Sequence, residues 1–499
     1  MSGIRTVSRG IVFKSLSTAL GGVLTLTLSV LLTRKFGREA YGWLVMAYTV
    51  VNLAPVLTEA GVKGGLRRFL PVALRDADQV RAGALLRAAT AVQLAGVAVF
   101  TPLMLLGAGP LSGAFFRRPE LHTLFLAGAV CALGVALMDY VLSVYQAMER
   151  WATEAALSLA YLGLYLGLSL FVIWGLGARL QGVLWANATA AVLTVGAGWA
   201  LAPQWVRLAW RPSPGLAVTG RELMRFGMPL VVINMNFLLL QWFDKALLGR
   251  YSSAENLAAF YIAFLFVNAL MVFVKVLVHV LMPYLARLEG ASAAELSPRF
   301  NRLSKWFLQL SVFAGAAAYF FIDPVIRALY GPAFEPSITM FRWMLPLFIM
   351  RTVYQPVGMF TVNVFGETGV SLKLNMITAT LVVVCNLILI PRFGVPGALA
   401  ANTLAYGLSF VVLPFGLPQV CRLLALKGWL REAASAAGVT ALCLLAAWQA
   451  WPPVVSGVAV LAAYAALLGL TRAWRREDWD LFRQVLSGMR QALAVRGAA

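Results

Sequence analysis

Apolar runs of about 20 residues recur along the whole chain, each long enough to cross about 30 Å of hydrocarbon as a helix. They begin near Ile11, Tyr41, Gly83, Leu121, Thr153, Leu180, Leu223, Leu257, Ser304, Ile338, Gly369, Pro396, Leu430 and Val454. Short polar or glycine- and proline-containing turns separate them, and no long hydrophilic stretch intervenes. The pattern predicts an all-α integral membrane protein of about 14 transmembrane helices with no sizeable soluble domain. Arg5, Arg9 and Lys14 precede the first run. That run is too long for a signal peptide and lacks a convincing cleavage site, so an uncleaved first helix is expected.

The runs repeat at an offset of about 215 residues. Phe36 matches Tyr251, Asn52 matches Asn268, and Glu120 matches Glu335. A G-x-x-x-A-N pattern recurs as Gly182/Ala186/Asn187 and Gly397/Ala401/Asn402. Six spans per copy is an even number, so both copies start on the same side, and the lobes should form a parallel pseudo-repeat about an axis along the membrane normal. The expected organisation is an N-terminal six-helix lobe (1–203), a cytoplasmic interfacial linker (204–221) and a C-terminal six-helix lobe (222–419). Two additional transmembrane helices (420–473) and a cytoplasmic amphipathic tail (474–499) follow. Trp205, Trp210, Pro212 and Pro214 among arginines mark the linker, and Trp474, Trp479 and Phe482 among basic residues mark the tail.

Composition agrees with a membrane location: 61% of the 499 residues are hydrophobic, 12% are charged, and mean hydropathy is +0.81. The net charge of +21 would suit nucleic acid only if the basic residues formed one patch, and they lie in alternate loops instead. With the N-terminus inside, about 28 Lys and Arg fall in inner segments and about 11 in outer loops, the positive-inside bias. Both termini are therefore expected in the cytoplasm. Clusters such as Lys63, Arg67, Arg68, Arg75 and Arg81 would attract anionic head groups. Cys131, Cys385, Cys421 and Cys443 are scattered and read as small core residues, not disulfides or metal ligands.

Ionisable and amide side chains inside spans are costly and carry most of the functional information. Asn268, Lys275 and His279 share one face of the eighth span, and Asn52, Glu59 and Lys63 hold the same spacing in the second. Glu59 and Lys63 fit either an i,i+4 pair near the inner interface or a gate, and Lys275 fits either a snorkelling cation or a cavity group. Asn234, Gln241 and Lys245 align on the seventh span with Asp244 beside them, where Asp244 and Lys245 also fit a structural pair. Arg351, followed by Tyr354 and Gln355, lies near the midplane of the tenth span. Its planar guanidinium suits a phosphate through two parallel hydrogen bonds, with an internal tie as the other reading. Asp139 in the fourth span suits a proton or sodium ion, or a hydrogen-bonded core position. The equal depth of Glu59 and Lys275 in the two copies makes them candidates for a coupled gate.

Several helix ends carry a family likeness. The hairpin Leu31-Leu-Thr-Arg-Lys-Phe-Gly37-Arg-Glu-Ala-Tyr41-Gly42, the segment Leu57-Thr-Glu59-Ala-Gly61, the segment Phe243-Asp244-Lys245-Ala-Leu-Leu-Gly249 and the turn Ile390-Pro-Arg-Phe-Gly394-Val-Pro-Gly397-Ala are its elements. Together with two lobes of six and two added spans, they resemble the polysaccharide-transport (Wzx-type oligosaccharide flippase) branch of the multidrug/oligosaccharidyl-lipid/polysaccharide exporter superfamily. The resemblance implies a flippase of the bacterial cytoplasmic (inner) membrane that moves polyprenyl-pyrophosphate-linked oligosaccharide to the outer leaflet. It implies no enzymatic step and no cofactor, and the driving force is either a proton or sodium gradient or downstream consumption of the product. Expected partners are the polyprenyl-linked glycan, membrane lipids, a polysaccharide polymerase and glycosyltransferases, and no nucleic acid.

Rival readings are a multidrug extruder or lipid II flippase of the same superfamily, and a membrane glycosyltransferase or polymerase. An extruder usually stops at twelve spans and favours an acidic, aromatic cavity. The second span lacks the arginine- and asparagine-rich motif of lipid II flippases, and every outer loop is short for a catalytic domain. No G-x-x-x-x-G-K-[ST] loop occurs, so the chain has no ATPase of its own.

Overall fold

The computed structural model describes residues 2–177, 179–203, 216–286, 288, 290–416, 422–423, 438, 441, 445 and 453–470. The segment 204–215, the span expected near Leu430 and the tail 474–499 lie outside these residues, as do Cys421 and Cys443. Cys131 is buried and Cys385 half-buried, both as thiols.

Among the described residues, ten helices are long and apolar enough to cross a membrane. The first of these, Ser17–Leu57, contains two of the expected spans, because helix α1 (Ser2–Val51) changes direction at Gly37, with φ 82° and ψ 178°. Glycine adopts that conformation without a Cβ penalty, so the chain turns without unwinding. The tenth expected span is interrupted, as described below. The last, Pro453–Leu470, has a described apolar stretch of only Val455–Ala466.

Contacts divide the chain into two compact units, Met1–Ala258 and Ala259–Ala499. The division falls after the seventh expected span, not at the linker, because that helix packs within the first unit. There α1 is followed by α2 (Ala54–Leu57), α3 (Val62–Arg75), α4 (Gln79–Pro110), α5 (His122–Ala147), α6 (Trp151–Leu170), α7 (Gln181–Ala200) and α8 (Leu216–Tyr251). Val62, Leu66 and Leu70 of α3 pack with Leu85 and Leu86 of α4, Tyr140 of α5 and Leu223 of α8. Phe69 meets Phe226 edge-on at 5.5 Å, and the Arg68 guanidinium lies 4.7 Å from the same ring.

Lipid supplies no hydrophobic drive between helices, so close approach and interhelical hydrogen bonds hold the unit. Gly61 and Gly227 cross backbone to backbone: a Cβ on Gly227 would overlap the Gly61 carbonyl, and one on Gly61 would meet Met228 N at 2.6 Å. Gly227→Val is therefore expected to destabilise the unit by about 1–3 kcal/mol or more. An unchanged melting temperature for that variant in detergent would contradict the crossing.

The second unit begins within α9 (Ala254–Ala286) and contains α10 (Ala293–Tyr330), α11 (Glu335–Val353), α12 (Gln355–Asn363), α13 (Thr368–Phe393), α14 (Val395–Gly416) and α15 (Pro453–Leu470). Val312, Ala316 and Phe320 of α10 pack against Val460 and Tyr464 of α15. The added C-terminal helix is thus built into this unit. The two asparagines of the G-x-x-x-A-N pattern both serve helix pairing: Tyr161 donates to Asn187 at 2.7 Å, and Asn386 donates to Asn402 at 3.4 Å.

Candidate functional site

The first unit places a charge cluster at a break in helical structure. Between α2 and α3 the chain unwinds through Thr58–Gly61, with Ala60 at φ 41° and Gly61 at φ 82°. Unwinding frees backbone acceptors, and membrane proteins tolerate this only where other groups satisfy them. Lys63 does so, because its ammonium donates to the Pro55 carbonyl at 2.8 Å.

The same ammonium lies 2.5 Å from Asp139 Oδ2 and 3.1 Å from Glu59 Oε2. The other Glu59 oxygen accepts from Asn234 Nδ2 at 2.7 Å. Helices α3, α5 and α8 therefore meet at one lysine with two carboxylates, a trio of net charge −1. The lysine and Glu59 side chains are 6% and 3% exposed, whereas Asp139 is 44% exposed. The excess negative charge thus sits at the accessible end, where a proton or cation could compensate it. Above the cluster, Gln93 Nε2 donates to Thr58 Oγ1 at 3.0 Å, tying α4 to the break.

A second interruption lies in the second unit. Helix α11 ends just beyond Arg351, Tyr354 forms a turn, and α12 starts with Gln355-Pro356, whose proline lacks an N–H and favours a new helical start. Gln355 Nε2 donates to the Arg351 carbonyl at 3.2 Å. Arg351 is half-buried, and among the described residues no acceptor lies within hydrogen-bond distance of its guanidinium. Thr352 reaches Met271 Sδ at 3.8 Å, joining α11 to α9 one turn before Lys275. Lys275 is accessible on α9. Two acids of this unit, Asp323 and Glu335, are engaged with Arg327, each at 2.5 Å.

Other residues singled out by the sequence are placed differently. Lys245 is fully buried with its ammonium 3.0 Å from Asp244 Oδ1, which also accepts from the Lys245 backbone N–H at 2.8 Å. That geometry is the structural-pair alternative, near the C-terminal end of α8. Asn52 donates to the Tyr48 carbonyl at 2.8 Å. Asn268 and Gln241 are half-buried with no side-chain hydrogen bond among the described residues. The His279 side chain lies outside the described residues.

Sequence reasoning kept Lys63 and Asp139 apart, and Asn234 apart from Glu59. These contacts join positions 76 and 175 residues apart, and no local spacing signals them. The glycines Gly61, Gly64 and Gly65 were the available sign that a backbone approaches there.

Among known proteins, the profile of a family described as "Polysaccharide biosynthesis protein" matches residues 7–289. The chain is 24% identical over 347 residues to the EPS I polysaccharide export inner membrane protein EpsE of Ralstonia solanacearum, covering 68% of this chain and 74% of that one. It is similar in structure to the lipid II flippase MurJ in an inward closed conformation, with a TM-score of 0.71 at 12% identity over 93% of this chain and 100% of that one. It is also similar to an inward-facing multidrug resistance MATE family transporter of the MOP superfamily, with a TM-score of 0.63 at 16% identity over 81% and 95%. At these identities the two structural likenesses speak for the fold and not for the cargo.

Proposed function

Because the chain belongs to the polysaccharide biosynthesis protein family, whose profile covers more than half of it, we propose that it is a flippase for a polyprenyl-pyrophosphate-linked oligosaccharide. It acts without an enzymatic step, carrying the glycan from the inner to the outer leaflet for cell-surface polysaccharide assembly. Two six-helix lobes related by the repeat open alternately to either side, with both termini in the cytoplasm. The observation that carries the reading is Arg351. A half-buried guanidinium at a helix break, with no acceptor among the described residues and with α9 packed against the next residue, Thr352, one turn from Lys275, suits an anionic phosphate far better than a cationic drug.

Lys63, Glu59 and Asp139 are the coupling group in this proposal. Protonation or cation binding at the accessible Asp139 would loosen its hold on Lys63, and so shift the tie between α3 and α5. Both oxygens of Glu59 are engaged within the first unit, so any exchange between Glu59 and Lys275 belongs to a different conformation.

Cells lacking the protein should accumulate polyprenyl-pyrophosphate oligosaccharide in the inner leaflet and lose surface polysaccharide. Unaltered surface polysaccharide together with increased sensitivity to cationic drugs would favour the extruder. Cysteine labelling should place the segment 204–221 and both termini inside, and external labelling of the C-terminus would refute the topology.

A further inference from the structure

Away from the charge cluster, the first unit carries a groove of about 250 Å³ between α4, α5 and α7. Leu86, Leu94, Leu137, Val141, Val144 and Trp199 form its walls. Most of its polar groups are engaged: Thr90 and Tyr140 share a hydrogen bond of 2.8 Å, Tyr145 donates to the Gly198 carbonyl at 2.6 Å, and Gln93 Nε2 donates to Thr58 Oγ1, while Gln93 Oε1 has no partner among the described residues. A sugar would find few partners there. The groove is open to the surface, since Leu94 and Trp199 at its mouth are 44% and 46% exposed.

Two features define what fits. Along α5 the lining runs from Leu137 to Met148, a length of about 16 Å at helical rise, close to the half-thickness of about 15 Å in one leaflet. Arg87 is the charged side chain of the lining, on its rim, with Nε donating to the Gly83 carbonyl at 3.2 Å and its terminal nitrogens turned to the same end. Arg150 follows the end of α5, and Arg81, 4.0 Å from Glu222, stands near the start of α4. This end belongs to the inner leaflet in the topology set by the basic loops, and Trp199 sits there as an interfacial aromatic does.

We propose that this groove holds one acyl chain of an anionic phospholipid of the inner leaflet, with the phosphate at Arg87. Its lining includes neither Arg351 nor Lys275, and the proposal concerns a lipid that remains with the protein while cargo crosses. An arginine at the membrane surface contributes about fivefold in affinity for an anionic head group.

Native mass spectrometry of the full-length protein, titrated with phosphatidylglycerol or phosphatidylcholine, tests the assignment. Wild type should retain one phosphatidylglycerol in preference to phosphatidylcholine. Arg87→Gln should cut that preference about fivefold. Leu94→Trp fills the mouth at an exposed position where a larger side chain is tolerated, and should lower retention of both lipids. Brominated phosphatidylglycerol should quench a fluorescence component that disappears in Trp199→Phe, a reading that needs no groove-filling variant. Equal retention of the two lipids by wild type, or identical quenching in wild type and Trp199→Phe, would overturn the proposal. Stronger retention of a polyprenyl phosphate than of phosphatidylglycerol would overturn it as well, by making the groove part of the cargo path.

Discussion

Arg351→Ala is expected to slow translocation of the lipid-linked glycan by about 10- to 100-fold, while the protein still reaches the membrane. A charge-assisted hydrogen bond to phosphate supplies about 1.5–3 kcal/mol, and a bidentate pair adds orientation. Arg351→Lys keeps the charge but loses the planar fork, so it should retain part of the activity. Lys275→Ala should give a smaller loss with the same phosphate dependence, because a lysine acts as a point charge. Rates measured in vesicles with normalised protein content check the series. Wild-type rates in Arg351→Ala would reduce the residue to a structural tie at the break between α11 and α12.

The second large effect is expected from Lys63→Met. Removing the ammonium leaves Glu59 buried and Asp139 beside it, two carboxylates with no cation, together with an unpaired Pro55 carbonyl at the break. Breaking a buried pair from one side costs about 3–5 kcal/mol. The variant should therefore melt at a markedly lower temperature and express poorly. Glu59→Gln combined with Lys63→Met removes both charges and should recover much of the loss, since the penalty comes from the stranded carboxylate. Additive losses in the double variant would show that the two residues act independently. Asp139→Asn should be milder in stability, because that carboxylate is partly accessible and Lys63 keeps two other acceptors, yet it should still impair transport if the cluster couples an ion.

The sequence made one part of this arrangement legible and concealed another. Hydrophobic runs gave most of the spans, because a bilayer imposes length and apolarity on every crossing helix. Gly37 was readable as a turn in the first hairpin, although the two flanking helices join there without a loop. Glu59 and Lys63 were readable as a pair from their spacing on one turn. Their further partners were not. Asp139 and Asn234 reach the cluster because α5 and α8 pack against α3, and that packing depends on Gly61 and Gly227, whose meaning is steric and leaves no periodicity.

The interruptions show the same division. Glu59-Ala-Gly61 reads as the end of a span, and the helix does stop there, but it resumes as α3 with Lys63 buried rather than solvated. Arg351 stood out from its depth alone, whereas the restart at Gln355-Pro356 required the structure. Asp244 beside Lys245 made a structural pair readable in the sequence, and packing decides it: Lys245 is held by Asp244 in the core, whereas Lys275 is accessible.

Reconstituted transport addresses the central claim directly. Purified protein in liposomes should speed movement of a polyprenyl-pyrophosphate oligosaccharide between leaflets, and the gain should fall steeply with Arg351→Ala. Export of cationic dyes by the same vesicles, with the lipid-linked glycan left at its uncatalysed rate, would contradict the account.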